Sequence, residues 1–122
     1  LQIEIPENLP EIRCNPDQIQ QVLVNLLFNA ADAIMLQGSI LLSVSFSNPL
    51  YVTISIKDSG CGMSDEVLRQ AFNPFFTTKP IGKGTGLGLY VCYNILENQN
   101  SKLIINSNPG KGTEVKFDLE VA

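Results

Sequence analysis

Apolar residues at every second position open the chain. In LQIEI, Leu1, Ile3 and Ile5 share one side of an extended segment, which predicts a strand with one buried face. Pro6 and Pro10 bracket the loop that follows. From Asn15 the period lengthens: Ile19, Val22, Leu23, Leu26, Leu27, Ala30, Ala33 and Ile34 form one stripe at helical spacing. Asn15-Pro16-Asp17-Gln18 is a start signal for that helix. Asn15 serves as N-cap, Pro16 takes the first helical position, Asp17 complements the dipole, and Gln18 stands where a capping box puts its third residue. Gly38 is the expected stop.

Strict alternation then returns. Ile40, Leu42, Val44 and Phe46 alternate with Leu41, Ser43, Ser45 and Ser47; after the turn at Asn48-Pro49, Val52, Ile54 and Ile56 alternate with Thr53, Ser55 and Lys57. A hairpin with one buried face follows from this pattern. Ser64 caps a short helix running to Phe72, and a longer one spans about Gly86 to Glu97 with Leu87, Val91 and Ile95 on one side. The chain closes with KLIIN, a turn at Asn108-Pro109-Gly110, and a strand in which Val115, Phe117, Leu119 and Val121 alternate with polar residues. Helices interleaved with hairpins predict an α+β fold. We expect a two-layer α/β sandwich: a mixed, mostly antiparallel sheet covered by about three helices on one face.

With 122 residues, 44% hydrophobic and 16% charged, the chain makes one core and one domain, residues 1–122. Eight basic side chains scattered among twelve acidic ones, net charge −4, exclude the basic stripe of a nucleic-acid binder. Histidine is absent, so no His base, nucleophile or metal ligand exists in this chain. Cys14, Cys61 and Cys92 are an odd number without CxxC spacing, which points to a reducing compartment, the cytoplasm, over a disulfide framework. No apolar run reaches the length of a membrane span, and the first residues lack the features of a signal peptide. Starting mid-strand without Met, the chain has the look of an excised piece.

Four segments carry candidate chemistry. On the first helix, Gln18, Gln21, Asn25, Asn29 and Asp32 fall within one narrow sector beside the apolar stripe. A merely solvated face would favour Glu and Lys over two asparagines a turn apart, and an amide can offer its carbonyl to Mg²⁺ without adding charge. DSGCGM follows a buried strand directly. Asp58 there can accept from an exocyclic amino group or close an Asx-turn on its own backbone, while Gly60 and Gly62 permit a tight turn. NPFFTTKP joins two aromatics to two hydroxyls and Lys79, as a simple loop or as a lid over phosphate. In GKGTGLGL, Gly82, Gly84, Gly86 and Gly88 recur at every second position ahead of a helix, although neither GxxxxGK[ST] nor GxGxxG can be read. Converging backbone amides on an anion would need such bare backbone. PGKGTEV leads through a turn to Thr113.

In this order, Asn25-Leu-Leu-Phe-Asn29-Ala, Asp58-Ser-Gly60-Cys-Gly62, Phe72-Asn-Pro-Phe-Phe76-Thr-Thr-Lys79 and Gly82-Lys-Gly84-Thr-Gly86-Leu-Gly88-Leu resemble the N, G1, F and G2 boxes of the ATP-binding catalytic domain of sensor histidine kinases. That domain has the Bergerat-type fold of the wider superfamily that includes gyrase B, the Hsp90 chaperones and MutL. The NPFFTTKP wording is most similar to the nitrogen-regulation type.

The resemblance covers essentially the whole chain and implies roles. Asn29, with Asn25, would face Mg²⁺ and the phosphates, with Asp32 nearby. Asp58 would accept from the adenine amino group beside Thr113, and Gly60 and Gly62 would shape the base pocket. About 72–86 would form the ATP lid: Phe76, Thr77, Thr78, Lys79, Gly82, Gly84, Thr85 and Gly86, continued by Leu87 and Gly88, would surround the triphosphate. Gyrase-like relatives carry a general-base Glu where Asn25 stands; an amide takes no proton near neutral pH, so slow hydrolysis is expected. The implied reaction is phosphoryl transfer from ATP to a histidine on a separate dimerisation domain, with relay to a response-regulator receiver domain. The isolated domain would be monomeric and the full-length protein a homodimer, membrane-anchored or not. An ATPase and a nucleotide-dependent docking module are the alternatives.

Overall fold

Asn15 starts the first helix as its neighbours predict. In the computed structural model, which describes residues 1–34, 37–70 and 88–122, α1 spans Pro16–Ala33. The Asn15 side chain accepts from the N–H groups of Asp17 (3.1 Å) and Gln18 (3.2 Å), satisfying two otherwise orphaned donors. The other half of the capping box is not local. Gln99, far along the chain, accepts from the Asn15 N–H at 3.4 Å and donates to Gln18 Oε1 at 3.0 Å. An incoming amide supplies both a donor and an acceptor, so it displaces the return bond that Gln18 was expected to make.

The helix ends before Gly38, contrary to expectation. Ile34 is extended, and the Ala33 carbonyl accepts from the N–H of Cys61 at 3.0 Å. A tertiary contact caps the helix where a glycine was expected to. Gly38 meets a different need: a Cβ there would lie 2.7 Å from Ser59 Oγ, which itself accepts from the Ser39 N–H.

The sheet comprises β1 (Gln2–Glu4), β2 (Ile40–Asn48), β3 (Tyr51–Asp58), β4 (Ile104–Asn108) and β5 (Gly112–Glu120), in the order β1-β2-β3-β5-β4. Only β1 against β2 is parallel; the remaining pairings are antiparallel. The register fixes rows across the helix-covered face: Leu42, Ile56, Val115 and Ile105 share one, and Val44, Ile54 and Phe117 the next. Ile54, Ile56, Phe117 and Leu119 meet Ile19, Val22, Leu26 and Ala30 of α1 in the core. At the sheet edge the alternation in β1 forms a strand but no buried face: Leu1, Ile3 and Ile5 are exposed.

Two further helices lie among the described residues. α2 (Asp65–Gln70) is capped by Ser64, whose Oγ accepts from the Val67 N–H at 3.3 Å; Phe72, its expected end, lies outside the described residues. α3 (Gly88–Glu97) packs on α1. Its fully buried residues are Cys92 and Leu96, with Leu89 packed beside them, whereas Val91 and Ile95 are only half-buried. The seam is thus turned by one position, about 100°. Apolar residues surround this helix, so periodicity alone did not select the buried side. Asn100, at φ 58, takes the left-handed conformation that ends it, and the Ser101 N–H bonds back to the Leu96 carbonyl at 2.8 Å.

Candidate functional site

The apolar rows of the sheet give way to a polar one at a single end. Asp58 pairs with Thr113 across β3 and β5, and Thr113 pairs with Ser107 across β5 and β4. All three continue the alternation of Ile56, Val115 and Ile105, so they stand on the helix-covered face. Asp58 is 8% exposed and Thr113 9%. A carboxylate is placed this deep only when partners await it.

One partner is local. Asp58 Oδ1 accepts from the Gly60 N–H at 2.8 Å, the Asx-turn foreseen for Asp-Ser-Gly. A carboxylate has a second oxygen, so holding the turn and accepting from a ligand are compatible.

The loop after Asp58 threads between α1 and the β4–β5 turn. The Cys61 N–H donates to Ala33 and its carbonyl accepts from the Gly110 N–H at 2.7 Å. Space is scarce there. A Cβ on Gly60 would lie 2.5 Å from the Ala33 carbonyl oxygen, and one on Gly62, at φ +70, would lie 1.9 Å from that of Asn108. A Cβ on Gly112, at φ +92, would lie 2.1 Å from the Asp58 carbonyl oxygen. Both glycines expected to shape the pocket are required by backbone approach. The loop ends at Met63, whose N–H donates to Ser107 Oγ at 2.8 Å.

The polar ridge of α1 sinks toward its middle. Gln18, Gln21 and Asp32 are exposed, while Asn25 and Asn29 are half-buried. Asn25 hydrogen-bonds the Cys92 thiol of α3. Burial pushes that thiol up to about 11, against smaller opposing effects from the Asn25 side chain and a backbone bond. The thiol's own proton goes to the Val22 carbonyl, at 3.8 Å, so the bond from Asn25 to the same sulfur is donated by its amide NH₂. Among the described residues no three Cys, Asp or Glu side chains gather to hold a metal ion. The amide carbonyl of an asparagine is a neutral oxygen ligand of the kind that a hard cation such as Mg²⁺ would take.

Phe76, Thr77, Thr78, Lys79, Gly82, Gly84, Thr85, Gly86 and Leu87 lie outside the described residues, while Gly88 opens α3. Phe28 is 66% exposed on α1, off the apolar stripe. No helix among the described residues is long and apolar enough to cross a membrane. Ser107 was missed by sequence reasoning. Its signal was the period-two continuation of Ile105 toward Thr113, visible only once the β4–β5 register is known.

The model of the histidine kinase-, DNA gyrase B- and HSP90-like ATPase family matches residues 14–122. Sporulation kinase E of Bacillus subtilis (strain 168) is 37% identical over 121 residues, 99% of this chain and 16% of that protein. Sensor histidine kinase ZraS of Escherichia coli (strain K12) is 43% identical over 115 residues, 94% of this chain and 24% of that protein. The chain thus spans less than a quarter of the length of these relatives. Among solved structures, the nucleotide-free catalytic domain of histidine kinase ThkA superposes with a TM-score of 0.83 at 30% identity, covering 98% of this chain and 78% of that one. Full-length ShkA in complex with AMPPNP gives 0.82 at 26% identity, covering 98% of this chain and 26% of that one.

Proposed function

The chain belongs to the histidine kinase-, DNA gyrase B- and HSP90-like ATPase family, and on that premise we propose that it binds Mg-ATP beside Asp58 and passes the γ-phosphoryl group to a histidine on a separate dimerisation domain. It corresponds to the ATP-binding catalytic domain of sensor histidine kinases. The observation that carries the proposal is the buried Asp58 carboxylate, placed at a strand end where the sheet face turns polar and the Gly60–Gly62 backbone passes closely.

In this reading Asp58 accepts from the adenine 6-amino group, with Thr113 beside it, and Gly60 and Gly62 give the base room. Asn29, seconded by the carbonyl of Asn25 one turn earlier and with Asp32 nearby, faces Mg²⁺. When bound, that ion neutralises charge on the β- and γ-phosphates. Residues 1–122 act as one domain with a lid over about 72–86. Lys79 meets phosphate as a point charge, and the amides of Gly82, Gly84, Gly86 and Gly88 converge on the chain of phosphates where α3 offers its positive end. Phe76, Thr77, Thr78, Thr85 and Leu87 complete the lid.

Asn25 supplies no general base, so water is activated poorly. A neutral imidazole nitrogen needs little deprotonation, and transfer to it asks mainly for positioning and charge stabilisation. The chain contains no histidine, so the acceptor lies on another domain. A receiver domain then takes the phosphoryl group, in the cytoplasm, and the likeness of the NPFFTTKP wording to the nitrogen-regulation type supports that subtype for the full-length protein.

Trans-phosphorylation tests this. The chain is mixed with the helical domain that precedes it in its full-length protein and with γ-labelled ATP. Acid-labile label on the helical domain is expected. Bound nucleotide without transfer would leave a docking module in place of a kinase.

A further inference from the structure

Ser107 is the third member of the polar row, and neither base nor phosphate contact accounts for it. Its Oγ accepts from the Met63 N–H at 2.8 Å, lies 2.7 Å from Thr113 Oγ1 and 3.2 Å from the Gly112 carbonyl oxygen. One hydroxyl proton therefore has two acceptors in reach.

Counting bonds decides between them. If Ser107 donates to Gly112, its two lone pairs accept from Met63 and from the Thr113 hydroxyl, and all three contacts are hydrogen bonds. If it donates to Thr113, the Gly112 contact is lost. Part-buried hydroxyls favour the arrangement that leaves the fewest groups unsatisfied. The Thr113 proton is then committed to Ser107, and Thr113 turns only lone pairs toward whatever lies over the row.

Resting on the nucleotide reading of this site, we propose that Ser107 is a positioning residue for base selection. By holding the Thr113 proton it makes Asp58 and Thr113 a pair of acceptors. A purine 6-amino group, which has two N–H donors, satisfies such a pair. A 6-oxo group brings a third acceptor and is repelled. Without Ser107 the Thr113 hydroxyl is free to turn and donate to a 6-oxo group, so selectivity relaxes. The Met63 bond places the same oxygen at the end of the glycine loop, tying the loop to the base-reading row.

The test is calorimetric binding of Mg-ATP and Mg-ITP to the wild-type chain, Ser107→Ala, Ser107→Thr and Thr113→Val, with circular dichroism for the fold. Wild type should prefer ATP. Ser107→Ala should lower the ratio of the ITP to the ATP dissociation constant by about 3- to 10-fold, the range of one neutral hydrogen bond. Ser107→Thr, which keeps the hydroxyl, should restore the ratio, and Thr113→Val should lower it even if Ser107→Ala does not fold. An equal loss of both nucleotides in Ser107→Ala would make Ser107 merely structural and overturn the proposal. So would an unchanged ratio in Thr113→Val, a failure of Ser107→Thr to restore selectivity, or a wild type indifferent to the base. Absence of any nucleotide binding to wild type would instead overturn the nucleotide reading itself.

Discussion

Gly62 stands so close to Asn108 that a β-carbon on it would come within 1.9 Å of the Asn108 carbonyl oxygen. The glycine loop after β3 and the turn between β4 and β5 are therefore fitted backbone to backbone. Gly62→Ala should destabilise the fold by about 2 kcal/mol or more, since it combines a left-handed φ with a clash that no side chain can relieve. Gly110 has a similar φ, +77, but nothing within 4 Å of its would-be β-carbon. Gly110→Ala should cost only the conformational part, about 1 kcal/mol. Urea unfolding of the two variants separates the terms; equal losses would show that the close approach contributes nothing.

Asp58→Asn should weaken Mg-ATP binding about tenfold or more while the melting temperature changes little. The amide oxygen still accepts from Gly60, so the turn survives. What changes is the atom facing the base: the second carboxylate oxygen becomes an NH₂ group, a donor that cannot accept from the 6-amino group. Asn29→Ala should weaken binding in magnesium buffer more than in EDTA. Titration calorimetry reads both, and an Asp58→Asn variant with wild-type affinity would remove the carboxylate from the site.

The sequence made the strands legible and the seam between helices less so. Val52, Ile54 and Ile56 alternate with polar residues, and a hairpin register follows once the Asn48-Pro49 turn is seen. α3 offered no such contrast: apolar residues occur all round it, so its buried side was settled by Cys92, which donates to the Val22 carbonyl, and Leu96 entering the core shared with α1. Tertiary partners also replaced local ones at both ends of α1, where Gln99 and Cys61 supply bonds that Gln18 and Gly38 were expected to provide. At the site, Asp58 and the two glycines stood out because their types are unusual beside a buried strand. Ser107 did not, because a serine in an edge strand carries no signal until the cross-strand register puts it next to Thr113.

Two of the three cysteines should react in a fixed order. Cys61 is exposed and Cys92 fully buried, with its thiol raised to about 11, so a thiol reagent at pH 8 should label Cys61 quickly and Cys92 only on unfolding. The same shift has a stability consequence. The native thiol keeps its proton until pH about 11, whereas the unfolded chain loses it near the ordinary value of about 8.5. Below that value the contribution is fully present, and it is lost as pH rises through the folded value. Wild type should therefore lose stability more steeply than Cys92→Ala between about pH 8.5 and 11. Parallel pH profiles for the two would contradict the burial of this thiol.

Asn15 and Gln99 should prove energetically coupled although 84 positions separate them. Asn15→Ala removes the cap for two N–H groups and should cost about 1 kcal/mol. Gln99→Ala removes the acceptor for the Asn15 N–H and the donor to Gln18, so it loosens the same helix end from outside. Once the cap is lost, the first turn of α1 frays and Gln99 has less to hold. The double variant should then cost less than the sum of the singles, by about 0.5 kcal/mol or more, the usual range for residues within one hydrogen-bond network. Chemical denaturation of wild type, both singles and the double variant closes the cycle. Strict additivity would mean that Asn15 and Gln99 support the start of α1 independently and are not members of one network.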